Sequence, residues 1–165
     1  MNDEELRLLV TSSIPRAERQ WRKLGRKLID RICRECGYPP GSLSEASIFP
    51  LITIGRLGEG VRQNAVAEEI GVEGPALVRL LDLLAEQKLI ERHEDPEDRR
   101  AKTLWLTDEG RKLRMLIEND LTKVRAAVLR THSPEELRAA VGVLRTMSTF
   151  LNDGLVDEIF AETAK

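Results

Sequence analysis

Apolar residues along the chain recur mostly every three or four positions, which is the period of a helix. From Asp3 to about Cys36 the pattern predicts one long helix. Pro15 breaks it or starts its longer half, after which Ala17, Trp21, Leu24, Leu28 and Ile32 fall on one face. Gly37, Pro39 and Pro40 end it. Ser44 is an N-cap for a second helix reaching about Leu57, which Pro50 should kink or shorten. Gly55, Gly58 and Gly60 turn the next segment into a loop.

Two short helical patterns follow, Gln63 to Ile70 and Pro75 to Lys88, joined by the tight turn Gly71-Val72-Glu73-Gly74. Short helices joined by a glycine-containing turn predict a helix-turn-helix. Then the period changes. Leu89 to His93 reads as a strand, Glu94 to Lys102 as a polar loop around Pro96, and Thr103 to Leu106 as the return strand. This hairpin after the second helix is a wing. Thr107 opens a helix to about Thr131, and Ser133-Pro134-Glu135-Glu136 starts the last one.

That last helix carries Leu137, Val141, Leu144, Leu151, Leu155 and Ile159 at a spacing near seven, with Ser148 as the weak position. Long helices at both ends flank a compact centre that cannot cover them all, so packing between two copies is expected. The expected fold is mainly α with a small β-hairpin wing, a winged helix-turn-helix. Its parts are an N-terminal dimerisation region (1–42), a DNA-binding lobe (43–112) and C-terminal dimerisation helices (113–165). Leu24 and Leu28 join the apolar residues of the last helix as the expected dimer interface.

Composition changes this picture little. The 165 residues carry a formal charge of -2, which offers no basic average to draw in nucleic acid. A DNA-binding surface needs positive charge only locally, aimed at phosphates. Residues 16–34 are rich in Arg and Lys. No apolar run is long enough for a membrane span, and the acidic start is neither a secretory signal nor a transit peptide, so a cytoplasmic location is expected. The chain shows no serine-nucleophile elbow, zinc-protease helix or phosphate-cradling glycine loop, so no enzyme, cofactor or metal is expected. Cys33 and Cys36 are the only cysteines. They read as two buried or surface thiols, with a redox switch or half of a metal site as the alternatives.

The helix from Pro75 should enter a major groove by its N-terminal end. Pro75, Ala76 and Val78 would meet thymine methyls or the backbone. Arg79 is the strong donor near the tip, suited to guanine or phosphate, or else to an ion pair with Asp82 or Glu73. Gln63 and Asn64 begin the preceding helix, where main-chain N–H groups and amides hold phosphate. The wing places Arg99, Arg100 and Lys102 beside Glu94, Asp95, Glu97 and Asp98. For a small acidic effector the apolar-plus-cationic set is Trp21, Arg22, Arg26, Ser47 and Phe49. The same residues equally suit a dimer core and a solvated face. A winged helix can also serve as a protein-interaction module.

Gln63 to Val72 followed by Leu77 to Leu84 resembles the helix-turn-helix of MarR-type regulators. Leu89-Ile90-Glu91-Arg92, Asp98-Arg99-Arg100-Ala101-Lys102 and Leu104 to Gly110 resemble that family's wing. The Asp98 to Lys102 string and Leu77-Val78-Arg79 look closest to the SlyA branch. The resemblance implies a homodimer on a pseudo-palindromic operator, often a repressor released by a small aromatic or phenolic acid. It implies that Asp98 braces the wing through an arginine, for which Arg92 is the candidate, and that Arg100 reaches into a minor groove. Some relatives sense oxidation, which Cys33 and Cys36 leave open.

Overall fold

The computed structural model describes residues 1–39, 41–98, 101–150 and 159, with Phe150 described by its backbone alone. The chain falls into two compact units, Met1–Thr122 and Lys123–Lys165.

In the first unit, α1 (Asp3–Glu35) is opened by a reciprocal cap between Asn2 and Glu5, and Pro15 lies inside it without ending it. The second helix, α2 (Glu45–Leu57), starts on a Ser44–Ser47 capping box. Pro50 does not shorten it. This proline stands six residues into α2 and is buried in the core. Then come α3 (Gln63–Ile70) and α4 (Gly74–Glu86). Gly71 closes α3 at φ 73°, a left-handed position that suits glycine.

The wing is larger than the pattern predicts. Its strands β2 (Ile90–Glu94) and β3 (Lys102–Leu106) are joined by a third, β1 (Val61–Arg62), which pairs antiparallel with β3 in the order β1-β3-β2. Val61 lies opposite Leu104, and Arg92 lies opposite the same residue from the other side. A two-residue strand is too short to carry a periodic signal, so the sequence reads it as loop.

One apolar core holds this unit together. Ile48, Leu51 and Ile54 of α2 meet Val66 of α3, Leu77, Leu81 and Leu84 of α4, Leu89 and Ile90, and Leu104 and Leu106 of β3. Leu28, Ile29, Ile32 and Cys33 of α1 and Leu113 and Ile117, from the helix that follows the wing, complete it. Leu28 is therefore an anchor of its own chain's core. Helical period placed it on the right face, but that face turns inward over its last two turns.

The fifth helix, α5 (Asp108–Leu129), begins in this unit. Thr107 caps it by accepting from the N–H of Gly110 at 3.0 Å and donates to the carbonyl of Lys88 at 2.7 Å. The second unit contains α6 (Pro134–Phe150), opened by a Ser133–Glu136 capping box. Leu137 is half-buried, whereas Val141, Leu144 and Ile159 are exposed. Leu151 and Leu155 lie outside the described residues.

Candidate nucleic-acid interface

Helix α4 presents one face to the core and the other outward. Leu77, Leu81 and Leu84 are buried, whereas Val78, Arg79 and Asp82 are exposed. Pro75 sits in the first turn, where its missing N–H costs nothing. Pro75, Ala76, Val78 and Arg79 are all exposed. Glu73 stands at the N-cap position, yet its side chain makes no cap hydrogen bond.

Arg79 makes no hydrogen bond or ion pair to any described residue. Asp82, one turn along, is occupied instead by Arg92, whose Nη1 donates to Asp82 Oδ1 at 2.6 Å. A second arm of the same guanidinium, Nη2, donates to the carbonyl of Val78 at 3.2 Å. The Nε N–H of Arg92 is buried without a partner.

Arg92 thus engages α4 and not Asp98, the partner that the family resemblance implies. Residues alternate faces along a strand. Arg92 shares its face of β2 with the buried Ile90, so it points toward α4 rather than into the wing loop. The brace of the loop comes from elsewhere. Arg62 of β1 donates from Nε to Asp95 Oδ2 at 2.5 Å and from Nη2 to Glu97 at 3.1 Å. The other oxygen of Asp95 accepts the main-chain N–H groups of Glu97 at 2.8 Å and Asp98 at 3.2 Å. Asp95 is nearly fully buried, and the Arg62 hydrogen bond, aided by those two N–H groups, draws its pKa down to about 2. Sequence reasoning missed Arg62 because nothing at that position announces a strand.

Beside this brace opens a cleft of about 360 Å³, lined by Arg62, Gln63, Asn64, Asp98, Ala101 and Lys102. It lies at the N-terminus of α3, so main-chain donors and the positive end of the helix dipole face it. Gln63, Asn64 and Lys102 are thus gathered at one place from two distant stretches of sequence. Lys102 also reaches Glu94 at 3.4 Å. Arg99 and Arg100 lie outside the described residues.

A second, larger cleft of about 640 Å³ lies among α2, α3 and α4. Phe49, Ile52, Ile70, Val72 and Leu80 give it apolar walls, and Arg22 and Arg56 give it two cations. Arg56 is ion-paired with Glu69 across it, and Arg22 is held by Glu18 at 2.6 Å. Arg26 lines a smaller cleft with Arg22, between α1 and the start of α2. Of the five residues expected to hold an effector, Arg22 and Phe49 share the larger cleft. Trp21 lines neither cleft. Ser47 is buried with its hydroxyl committed to the cap of α2, donating to the Ser44 carbonyl at 2.9 Å. The residue that the sequence did not single out is Arg56.

Neither cysteine is in a disulfide. Cys33 is buried, and desolvation, reinforced by the negative charge of Asp30, pushes its thiol pKa up. Both effects oppose the thiolate form that oxidation needs. Among the described residues no cluster of His, Cys, Asp or Glu could hold a metal ion. Among them, too, no helix is long and apolar enough to cross a membrane.

A sequence model of the MarR family matches residues 51–101, from the middle of α2 through the helix-turn-helix into the wing. A solved MarR-family transcription regulator superposes with a TM-score of 0.73 over 98% of this chain and 93% of its own, at 20% identity. The chain has the MarR winged-helix fold. MarR of Staphylococcus aureus, solved with salicylate and kanamycin, has a TM-score of 0.71 at 21% identity, covering 90% of this chain and 93% of its own. A mutant of MepR from the same organism, solved bound to an oligodeoxyribonucleotide, has a TM-score of 0.51 at 22% identity, covering 84% and 98%. In this fold α3 and α4 are the helix-turn-helix, and β1, β2 and β3 form the wing.

Proposed function

We propose that this protein is a sequence-specific, double-stranded DNA-binding transcription regulator of the MarR type. It works as a homodimer on a pseudo-palindromic operator in the cytoplasm. The observation that carries this reading is Arg79, an exposed arginine without a partner among the described residues, on the outward face of α4, the recognition helix. An uncompensated guanidinium there is suited to the O6/N7 edge of guanine. The cleft at the N-terminus of α3 supplies the second half of the interface. Gln63, Asn64 and Lys102 would hold phosphate and fix the register, while Pro75, Ala76 and Val78 bring the helix close to base edges. Arg99 and Arg100 add wing charge, with Arg100 assigned to the minor groove by the family resemblance. The Asp98 to Lys102 string favours the SlyA branch.

The dimer is supported by apolar surface left open within each unit. Leu6, Leu8, Leu9 and Val10 are exposed on α1, and Val141 and Leu144 on α6. By their spacing in the sequence, Leu24, Leu137, Leu151, Leu155 and Ile159 are assigned to the same interface. Sedimentation of the purified chain at twice its monomer mass is the expected result.

The effector reading is a small aromatic or phenolic acid acting on a repressor. The larger cleft combines apolar walls with Arg22 and Arg56, which match a flat ring and a carboxylate. Arg26 is a third cation near its edge. Benzoate and 2-hydroxybenzoate should bind, and Arg56→Ala should weaken them by about tenfold, the worth of one charge-assisted hydrogen bond.

The deciding experiment is selection of duplexes from a random library, followed by fluorescence anisotropy over a salt series. Tight binding that falls steeply with salt and is lost in Arg79→Ala supports the reading. Absence of binding even to generic duplex at low salt would sink it and leave the protein-interaction module in its place.

A further inference from the structure

The recognition helix carries an internal conflict that its own sequence does not resolve. Arg79 and Asp82 stand three residues apart, the spacing at which oppositely charged side chains meet on a helix. Paired with each other, they would cancel at the surface that reads DNA. The structure shows a different pairing. Arg92, arriving from β2, takes Asp82 through Nη1 at 2.6 Å and the carbonyl of Val78 through Nη2 at 3.2 Å. Arg79 is left without a partner among the described residues.

Three features make Arg92 the better partner for Asp82. Its side chain is about a quarter exposed, whereas Asp82 is about half exposed, so the pair is partly shielded from water. One planar guanidinium engages both the carboxylate and a main-chain carbonyl one turn earlier, which a lysine ammonium cannot do in the same plane. The stem is fixed by the sheet, because Arg92 lies opposite Leu104 in the β2–β3 register. The buried, unpartnered Nε N–H shows that this placement is kept at the expense of one unsatisfied donor.

From this geometry we infer that Arg92 is a positioning residue for sequence reading, holding Asp82 away from Arg79 so that Arg79 stays free for a base. The inference rests on the DNA-binding function proposed above. It adds that the wing strand controls the charge state of the recognition helix without touching DNA itself. In Arg92→Gln, Asp82 is released to pair with Arg79. The ratio of affinity for a selected duplex over a scrambled one should fall by about tenfold, within the range for one bidentate base contact.

The test is a double substitution. Adding Asp82→Asn to Arg92→Gln removes the competitor and keeps the local net charge of the wild type. Most of the lost ratio should return. Asp82→Asn alone should leave the ratio near the wild-type value. Should the double variant be as indiscriminate as Arg92→Gln, or worse, Arg92 acts only as a structural tie and the inference falls. Arg92→Lys covers the case in which Arg92→Gln does not fold by thermal melting: it retains a cation for Asp82, so it should keep most of the ratio, and an Arg92→Lys protein that folds but reads no sequence also overturns the inference. If the wild type selects no duplex at all, the DNA-binding function itself fails, an outcome distinct from a wild type that discriminates and a double variant that does not.

Discussion

Arg62 Nε and Asp95 Oδ2 lie 2.5 Å apart although 33 residues separate them in the chain. This pair ties the short first strand to the start of the wing loop. Asp95 also caps the loop from within by accepting from the N–H groups of Glu97 and Asp98. Asp95→Asn keeps an oxygen for those two N–H groups but loses the charge that holds Arg62. Faster amide exchange is expected at Asp95 and Ala101, which hydrogen-bond to the loop, with the core helices unchanged. Unchanged protection at both amides would show that the brace is redundant.

Acid should loosen the same place. The folded pKa of Asp95 is held at about 2, below the value near 3.9 expected of an unfolded aspartate. A depressed carboxylate contributes stability that is complete above its unfolded pKa and is lost as pH falls through its folded pKa. Glu59 acts in the same sense, its pKa lowered chiefly by the hydrogen bond from Arg111. Thermal melts from pH 6 to pH 2 should therefore show a fall setting in below about pH 4. In Asp95→Asn the fall should be shallower, and identical slopes would remove Asp95 from the account.

Gly110 packs its α-carbon against the main chain of β2's approach. A methyl group there would stand 2.0 Å from the carbonyl oxygen of Leu89, which itself accepts from the N–H of Thr107 at 3.1 Å. Neither the carbonyl nor the start of α5 can move without breaking the other's hydrogen bond. Gly110→Ala should cost about 2–3 kcal/mol, the upper part of the range for overpacking a core. Chemical denaturation measures this directly, and a loss under about 0.5 kcal/mol would show that the contact relaxes freely.

Lys88 is the one non-glycine residue with positive φ among those described, at 55°. It follows α4, where its N–H meets the Ala85 carbonyl and the N–H of Leu89 meets that of Leu84, both at 2.9 Å. This is the helix-ending arrangement that glycine fills best. Lys88→Gly should stabilise the protein by about 0.5–1 kcal/mol, the left-handed strain relieved less the added freedom of the unfolded chain. A decrease in the melting temperature would contradict it.

Most elements of this fold are written locally. Helical period, the Ser44, Thr107 and Ser133 caps and the glycine turn at Gly71 placed α1 to α6 within a few residues, because each signal acts over one or two turns of chain. The hairpin of the wing was legible for the same reason. Pro50 does not shorten α2, because its burial in the core offsets the hydrogen bond that a proline removes from a helix.

Partnerships between distant residues arise only once the chain is folded. Charge along a sequence names candidates but not pairs, since any of several arginines can reach any of several acids until the backbone is folded. The sheet register turned Arg92 toward α4 and left the wing to Arg62, and the packing of α2 on α3 brought Arg56 to Glu69. Leu28 went inward for a similar reason: period fixes which residues share a face, but not what that face meets. Interactions a few residues long set the elements and their order; that Arg79 has no partner among the described residues goes with a guanidinium arriving from another strand, and no local signal encodes it.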